Sequence, residues 1–185
     1  MGQIYPFTPE KLVVPILITR RQMRPLLIEE LQKCYGEIDY TSGDLPFFQT
    51  HYYDEEMGTP ITRFFVSFAR LIDPGTLAQI KRETNLLENR FTEEEKRKIN
   101  IDPGLLSLGR FILASSKDGS HRIPLSDGIF AEVTLVYERD SYCPLEWTYP
   151  DYRSPEYLTI LADIRKLYKA QLGDPFHRGT STKGP

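Results

Sequence analysis

The chain has 185 residues and a formal net charge of −3, a length that suits one domain able to bury its own core. Hydrophobic residues make up 40 % and charged residues 26 % of it, the balance of a folded protein rather than a disordered one. The slight acidity argues against nucleic-acid binding by bulk electrostatics, while leaving room for a local basic pocket.

The longest apolar run, LVVPILI, is too short to cross a bilayer, and MGQIYPFTPEK lacks the basic-then-apolar pattern of a secretory signal. Cys34 and Cys143 have neither CxxC spacing nor neighbouring histidines, so a reduced pair in a soluble cytoplasmic protein is expected.

In chain order, Leu12 to Ile18 is apolar on both faces and reads as a buried strand. Pro15 argues for an edge or a bulge there, because it cannot donate to a ladder. Arg24 to Tyr35 reads as a helix with Pro25 in its first turn, Gly36 beyond its end, and Leu27, Leu31, Cys34 and Tyr35 on one face. A short strand at Glu37 to Tyr40 precedes the aromatic loop LPFFQTHYYDEEMGTP. Ile61 to Ile72 alternates Phe64, Val66 and Phe68 against Phe65, Ser67 and Ala69 and reads as a strand.

Asp73-Pro74 then caps a helix running to about Phe91, with Leu77, Ile80, Thr84, Leu87 and Phe91 as its inner stripe. Lys81, Asn85 and Glu88 form a polar edge beside that stripe, read as a solvated flank. Thr92 and Glu95 have capping-box spacing for a short helix, and the basic run Lys96-Arg97-Lys98 reads as a solvated turn. Lys98 to Ile101 is a candidate strand ended by Asp102-Pro103-Gly104. Leu105 to Ser115 fits either state and leans to helix on the spacing of Leu105, Leu108 and Ile112. His121 to Leu125 and Ile129 to Glu138 form a hairpin around Ser126-Asp127-Gly128, and Glu156 to Leu172 is an amphipathic helix. The Gly- and Pro-rich end, residues 173–185, reads as a disordered tail. Together these predict one α+β domain over 1–172, with a mixed, mainly antiparallel sheet, helices on one face and a ferredoxin-like β-α-β-β-α-β core.

No phosphate loop, dinucleotide fingerprint, nucleophile elbow or paired CxxC is present. The runs NIDPG (100–104), ASSKDGSHRI (114–123), GIFAEVTL (128–135) and PLEWTYPDY (144–152) resemble a prokaryotic family known as a domain of unknown function, number forty-four sixteen. THYYDEEMG, FVSFARLIDP and IKRETNLLENRF resemble the same family. The resemblance spans roughly residues 10–172. It implies a single soluble domain and assigns no reaction, substrate or cofactor.

The densest mix of ionisable groups is SSKDGSHRIPLSDG (115–128). A two-residue turn at Asp127-Gly128 would pair His121 with Thr134 and Ile123 with Glu132. That places His121, Glu132 and Thr134 on one face and Arg122 on the other. A histidine beside a carboxylate can act as a general base, which makes His121 and Glu132 the catalytic candidates. Ser116, Lys117 and Arg122 are candidates for an anion pocket, and Trp147 and Tyr149 for stacking. A one-residue change in the loop would instead set Arg122 opposite Glu132. His51, Asp54 and Glu55 are too few convergent ligands to argue a metal.

The expectation is a protein that binds or acts on an anionic small molecule, a nucleotide or phosphate ester, with no cofactor assigned. The alternative is a non-catalytic interaction module or homodimer that uses its aromatic segments. Nucleic acid and membrane are not expected as partners.

Overall fold

The computed structural model describes residues 2–49 and 53–173. His51, His177 and the expected tail from residue 174 onward lie outside the described residues. The elements are β1 (Glu10–Ile18), α1 (Arg24–Tyr35), β2 (Ile38–Thr41), β3 (Leu45–Pro46), α2 (Asp54–Met57), β4 (Thr62–Ile72) and α3 (Leu77–Asn89). Then come β5 (Thr92–Glu93), β6 (Lys96–Arg97), β7 (Ile99–Ile101), β8 (Gly104–Leu106) and β9 (Arg110–Ser115). The chain continues with β10 (Arg122–Pro124), β11 (Phe130–Glu138), β12 (Ser141–Pro144) and α4 (Pro155–Leu172).

One antiparallel sheet runs β10-β11-β9-β8-β1-β4-β2, with β7 also on β1, β3 on β4 and β12 on β11. Taken alone, β1, α1, β2, β4, α3 and β7 follow each other as β-α-β-β-α-β and stand in the sheet as β7-β1-β4-β2. This split arrangement is the expected ferredoxin-like core. The β8–β9 hairpin, β11 and the strands paired with it extend the sheet beyond β1.

Alternation along β1 divides the core between the two faces. Leu12, Val14, Ile16 and Ile18 pack with Leu27, Leu31 and Tyr35 of α1 and with Ile80 and Leu87 of α3. Val13, with Phe65 of β4 and Phe111 of β9, packs against Leu161 and Ile164 of α4 on the other side. The two crossover helices therefore share one face as expected, but α4 covers the opposite one. It does so because the odd positions of β1 and β4 also carry large apolar side chains, Val13 and Phe65 among them, that need cover.

Three local expectations change. Leu105 to Ser115 is a hairpin, not a helix. The Ser107 hydroxyl accepts from the N–H groups of Gly109 (3.3 Å) and Arg110 (3.2 Å), turning the chain where a helix would continue. Gly104 is obligatory at its start, since a Cβ there would lie 2.5 Å from the Ile112 carbonyl oxygen and 2.8 Å from the Phe111 ring. Thr92 to Arg97 is a two-residue hairpin, not a capped helix. Glu94 and Glu95 take positive φ of 50° and 61°, the turn that matches strand twist.

Pro15 sits in a central strand rather than at an edge. Its carbonyl accepts from the Asp102 N–H (3.0 Å), so its missing N–H points at the junction between β7 and β8, both of which pair with β1. The ladder is interrupted there already, and the proline leaves no acceptor wanting.

Candidate functional site

The same interruption opens a cleft. Pairing of β8 with β9 ends at Gly104 and Leu113, followed by the Ala114 N–H bonding to the Pro103 carbonyl (3.0 Å). Beyond that bond β7 and the end of β9 part, and a cleft of about 770 Å³ lies between them. Asn100 and Asp102 line one wall, and Leu113 to Lys117 with Arg122 and Glu132 line the other. Arg63, Tyr149, Asp151 and Tyr152 close one side, and Lys81, Asn85, Glu88 and Asn89 of α3 the other. Phe47, Gln49, Tyr53, Glu56, Arg97 and Pro150 complete the lining.

β7 exposes a free edge to this space, and α3 saturates it. Lys81 Nζ donates to the Ile101 carbonyl (2.7 Å), and the Ile101 N–H donates to Glu88 Oε1 (2.7 Å). The spacing of seven residues places both side chains on the helix face that meets the strand. Burial pushes the Glu88 carboxyl above its ordinary range, against the pull of Lys81 and of the Ile101 N–H. Arg97 Nη1 donates to Glu88 Oε2 (2.7 Å) and links it to Glu56. The polar edge read as a solvated flank is thus a buried wall of the cleft.

On the other side, PLEWTYPDY is a locked turn. Between β10 and β12 the edge of β11 lacks a partner strand, and two side chains take its carbonyls. Trp147 Nε1 donates to Val133 (2.9 Å) and Thr148 Oγ1 to Thr134 (2.5 Å). Arg153 clamps the carbonyls of Leu145 (3.1 Å), Glu146 (2.8 Å) and Thr148 (2.9 Å). The turn so fixed presents Asp151 and Tyr152 to Arg63, whose guanidinium meets Asp151 Oδ2 at 3.2 Å and the Tyr152 hydroxyl at 2.9 Å. Burial raises the Asp151 carboxyl above its ordinary range, with Arg63 opposing it. Burial also keeps the Tyr152 phenol protonated, again with Arg63 opposing.

The hairpin register differs from the expected one. The Leu125 N–H donates to the Ile129 carbonyl (2.9 Å), so the loop has three residues, Ser126 to Gly128, with positive φ at Asp127 and Gly128. Arg122 consequently faces Glu132, Ile123 faces Ala131 and Pro124 faces Phe130. Arg122 is therefore not on the far side of the strand, as the two-residue turn implied. Its Nε donates to Glu132 Oε2 (2.9 Å), Nη1 to the Lys117 carbonyl (2.8 Å) and Nη2 to the Tyr149 hydroxyl (2.6 Å). His121 does not pair with Thr134. Its Nε2 still reaches Glu132 Oε2 at 3.0 Å, and its ring stacks on Trp147 with centroids 5.3 Å apart.

Of the candidate residues, Ser116, Lys117, Arg122, Glu132 and Tyr149 line the cleft; His121 and Trp147 do not: His121 meets Glu132 from beside it, and Trp147 stacks on His121. Arg63 and Asp102 are lining groups that the sequence reading did not single out, and Lys81, Glu88 and Asp151, which it set aside, line the cleft too. The lining carries five basic residues (Arg63, Lys81, Arg97, Lys117, Arg122) and five acidic ones (Glu56, Glu88, Asp102, Glu132, Asp151), so its formal charge balances. Among the described residues no group of three or more His, Cys, Asp or Glu could hold a metal ion. No described helix is long and apolar enough to cross a membrane. Cys34 and Cys143 are both free.

A family model described as Domain of unknown function (DUF4416) matches residues 8–168. The runs that carried the resemblance are scattered over the sequence, yet NIDPG, SSKDGSHRI, the AEV of β11, YPDY and the polar face of α3 all contribute to this one cleft. Neither the curated proteins nor the solved structures contain a match.

Proposed function

The chain belongs to the DUF4416 family, and we propose that it uses the cleft to bind, and act on, an anionic small molecule such as a nucleotide or phosphate ester. The observation that carries this reading is the burial of Arg63, Lys81, Glu88, Glu132 and Asp151 around an open cavity. Paired buried charges add little to stability compared with apolar packing. Concentrated at a concavity, they are the usual mark of a binding or catalytic site.

Lys117 and the unused N–H groups of Arg122 hold the anionic group, next to the Ser115 and Ser116 end of β9. Glu132 fixes the Arg122 fork, His121 holds Glu132 and is itself stacked on Trp147, and the Tyr149 ring offers a stacking face. Proton transfer at this end falls to Glu132, with His121 as the reservoir behind it. The two free cysteines fit a cytoplasmic setting.

Thermal-shift titration with AMP, ATP, ribose 5-phosphate and inorganic phosphate tests this reading. Stabilisation of the wild type by at least one of them is expected, with loss of the shift in Lys117→Ala and Lys117→Ala/Arg122→Met. No shift from any compound, or an undiminished shift in both variants, overturns it. Ile123 and Leu125 expose 61 % and 44 % of their surface at edge strand β10 and favour, as a second reading, pairing of two copies there. Light scattering on the same samples would then show a dimer whether or not a ligand is present.

A further inference from the structure

Opposite the Lys117–Arg122 end, the cleft holds polar groups with hydrogen-bonding capacity that the protein does not use. Asn85 stands on α3 between Lys81 and Glu88, the two residues that saturate Ile101. It lines the cleft and is half-buried. Its side-chain amide makes no hydrogen bond among the described residues, although it offers two donors and an acceptor.

Asp102 faces the same space with 23 % of its side chain exposed. One oxygen accepts from Lys81 Nζ (3.4 Å) and the other from Asn100 Nδ2 (2.7 Å). A carboxylate has about four lone-pair sites, so Asp102 retains acceptor capacity on both oxygens.

From this juxtaposition we propose that Asp102 and Asn85 form a subsite for a pair of neighbouring hydroxyls, so that the ligand is a polyol phosphate: a sugar phosphate or ribonucleotide. The inference rests on the anion reading above. Each hydroxyl of a diol can donate to the carboxylate while accepting from the amide, which satisfies both protein groups together. Asp102 already has Lys81 beside it, so a cationic ligand group is not required to balance its charge. A phosphate is unfavourable at this end, where the cations Lys81, Arg97 and Arg63 are already ion-paired with Asp102, Glu88 and Asp151. That directs the phosphate to Lys117 and Arg122 and the hydroxyls inward. A simple phosphate, or a sugar lacking one hydroxyl, leaves partly desolvated groups without partners.

The test is calorimetric binding of matched probes: AMP against 2′-deoxy-AMP and 3′-deoxy-AMP, and ribose 5-phosphate against 2-deoxyribose 5-phosphate. In at least one series the full diol is expected to bind about tenfold to a hundredfold more tightly than its deoxy partner. Asn85→Leu and Asp102→Asn should bind the deoxy probes as the wild type does and lose the discrimination. Equal wild-type binding of diol and deoxy probes overturns the subsite while leaving the anion reading intact, as does discrimination that survives in both variants. Binding of none of the phosphates overturns the anion reading and the subsite together.

Discussion

Glu132 is 1 % exposed, yet it accepts from both Arg122 and His121 through the same oxygen. A buried carboxylate in that position depends on its partners, and they depend on it. Truncating one member of such a buried pair leaves the other charge desolvated and uncompensated, at a cost of about 3 kcal/mol. Glu132→Ala should therefore lower unfolding stability by about that amount in urea titration. Glu132→Ala/Arg122→Met should lose less than the two single variants combined, because the orphaned guanidinium is gone. Strict additivity would show that the pair is not coupled. At this scale the sequence reading placed these ionisable groups together, with the observed register as its one-residue alternative. The composition of SSKDGSHRI and AEV brought the ionisable groups together, but one extra loop residue decided whether Ile123 or Arg122 stood opposite Glu132. Arg63 escaped notice, and the burial of Asp151 with it, because nothing in a linear sequence marks one charged residue for burial. Their partners are distant in the chain: Arg63 and Asp151 meet only through the turn that Trp147, Thr148 and Arg153 hold.

At the scale of elements, β7 pairs with a strand on one side and with a helix's side chains on the other. Its outer edge relies on Lys81 and Glu88 in place of a ladder. Glu88→Ala removes the acceptor of the Ile101 N–H and the partner of Arg97, and an orphaned buried donor costs about 1–3 kcal/mol. The loss should be local as well as global. In hydrogen exchange the Ile101 amide should lose protection by more than the amides of β1 and β4 do. Uniform loss across the sheet would mean that the Glu88 contact is not what holds this edge. The major elements were legible because their patterns are long: α1, α3, α4, β4 and β11 lie close to where periodicity and capping residues put them. Pro25, the Asp73 cap on the Gly75 N–H (2.8 Å) and the Ser154 cap on the Tyr157 N–H (3.3 Å) all act as their residue types suggest. The short elements were not legible. In β8–β9 the apolar residues satisfy both periods, and a single serine hydroxyl settles the matter. The four-residue strand β12 follows a turn at Arg139 and Asp140, both with positive φ, a conformation that neither residue type announces. The i, i+4, i+7 polar stripe of α3 reads identically whether it faces water or a strand edge, because only the position of β7 tells the two apart.

At the scale of the whole molecule, burial raises the pKa of carboxylates in three separate places, and stability should record it as a dependence on pH. Glu10 at the start of β1, Glu88 on α3 and Asp151 in the YPDY turn are each pushed above the ordinary carboxylate range by burial. Arg110 opposes the shift at Glu10, Lys81 at Glu88 and Arg63 at Asp151. A group whose folded pKa is raised binds its proton more tightly in the folded than in the unfolded chain. Between the unfolded and folded values the folded state therefore holds more protons, and stability falls as pH rises through that window. Taken alone, these three groups make the protein more stable as the pH is lowered through their raised folded values, with the gain complete near the unfolded carboxylate value of about 4. Glu30 acts in the opposite sense: hydrogen bonds from Lys33 and Arg90 lower its pKa, so its contribution is lost only as the pH falls below the ordinary range. Thermal denaturation followed from neutral pH down to the ordinary carboxylate range should accordingly show a melting temperature that rises on acidification. Glu10→Gln, Glu88→Gln and Asp151→Asn, each of nearly the same shape but without a charge to desolvate, should each flatten that slope. Slopes rather than absolute stabilities carry the comparison, because each substitution also weakens an ion pair. If all three variants keep the wild-type slope, burial is not what sets the protonation of these groups. The cleft would then be solvated well enough to hold its charges at little cost, and the packing argument for its function would lose its electrostatic basis.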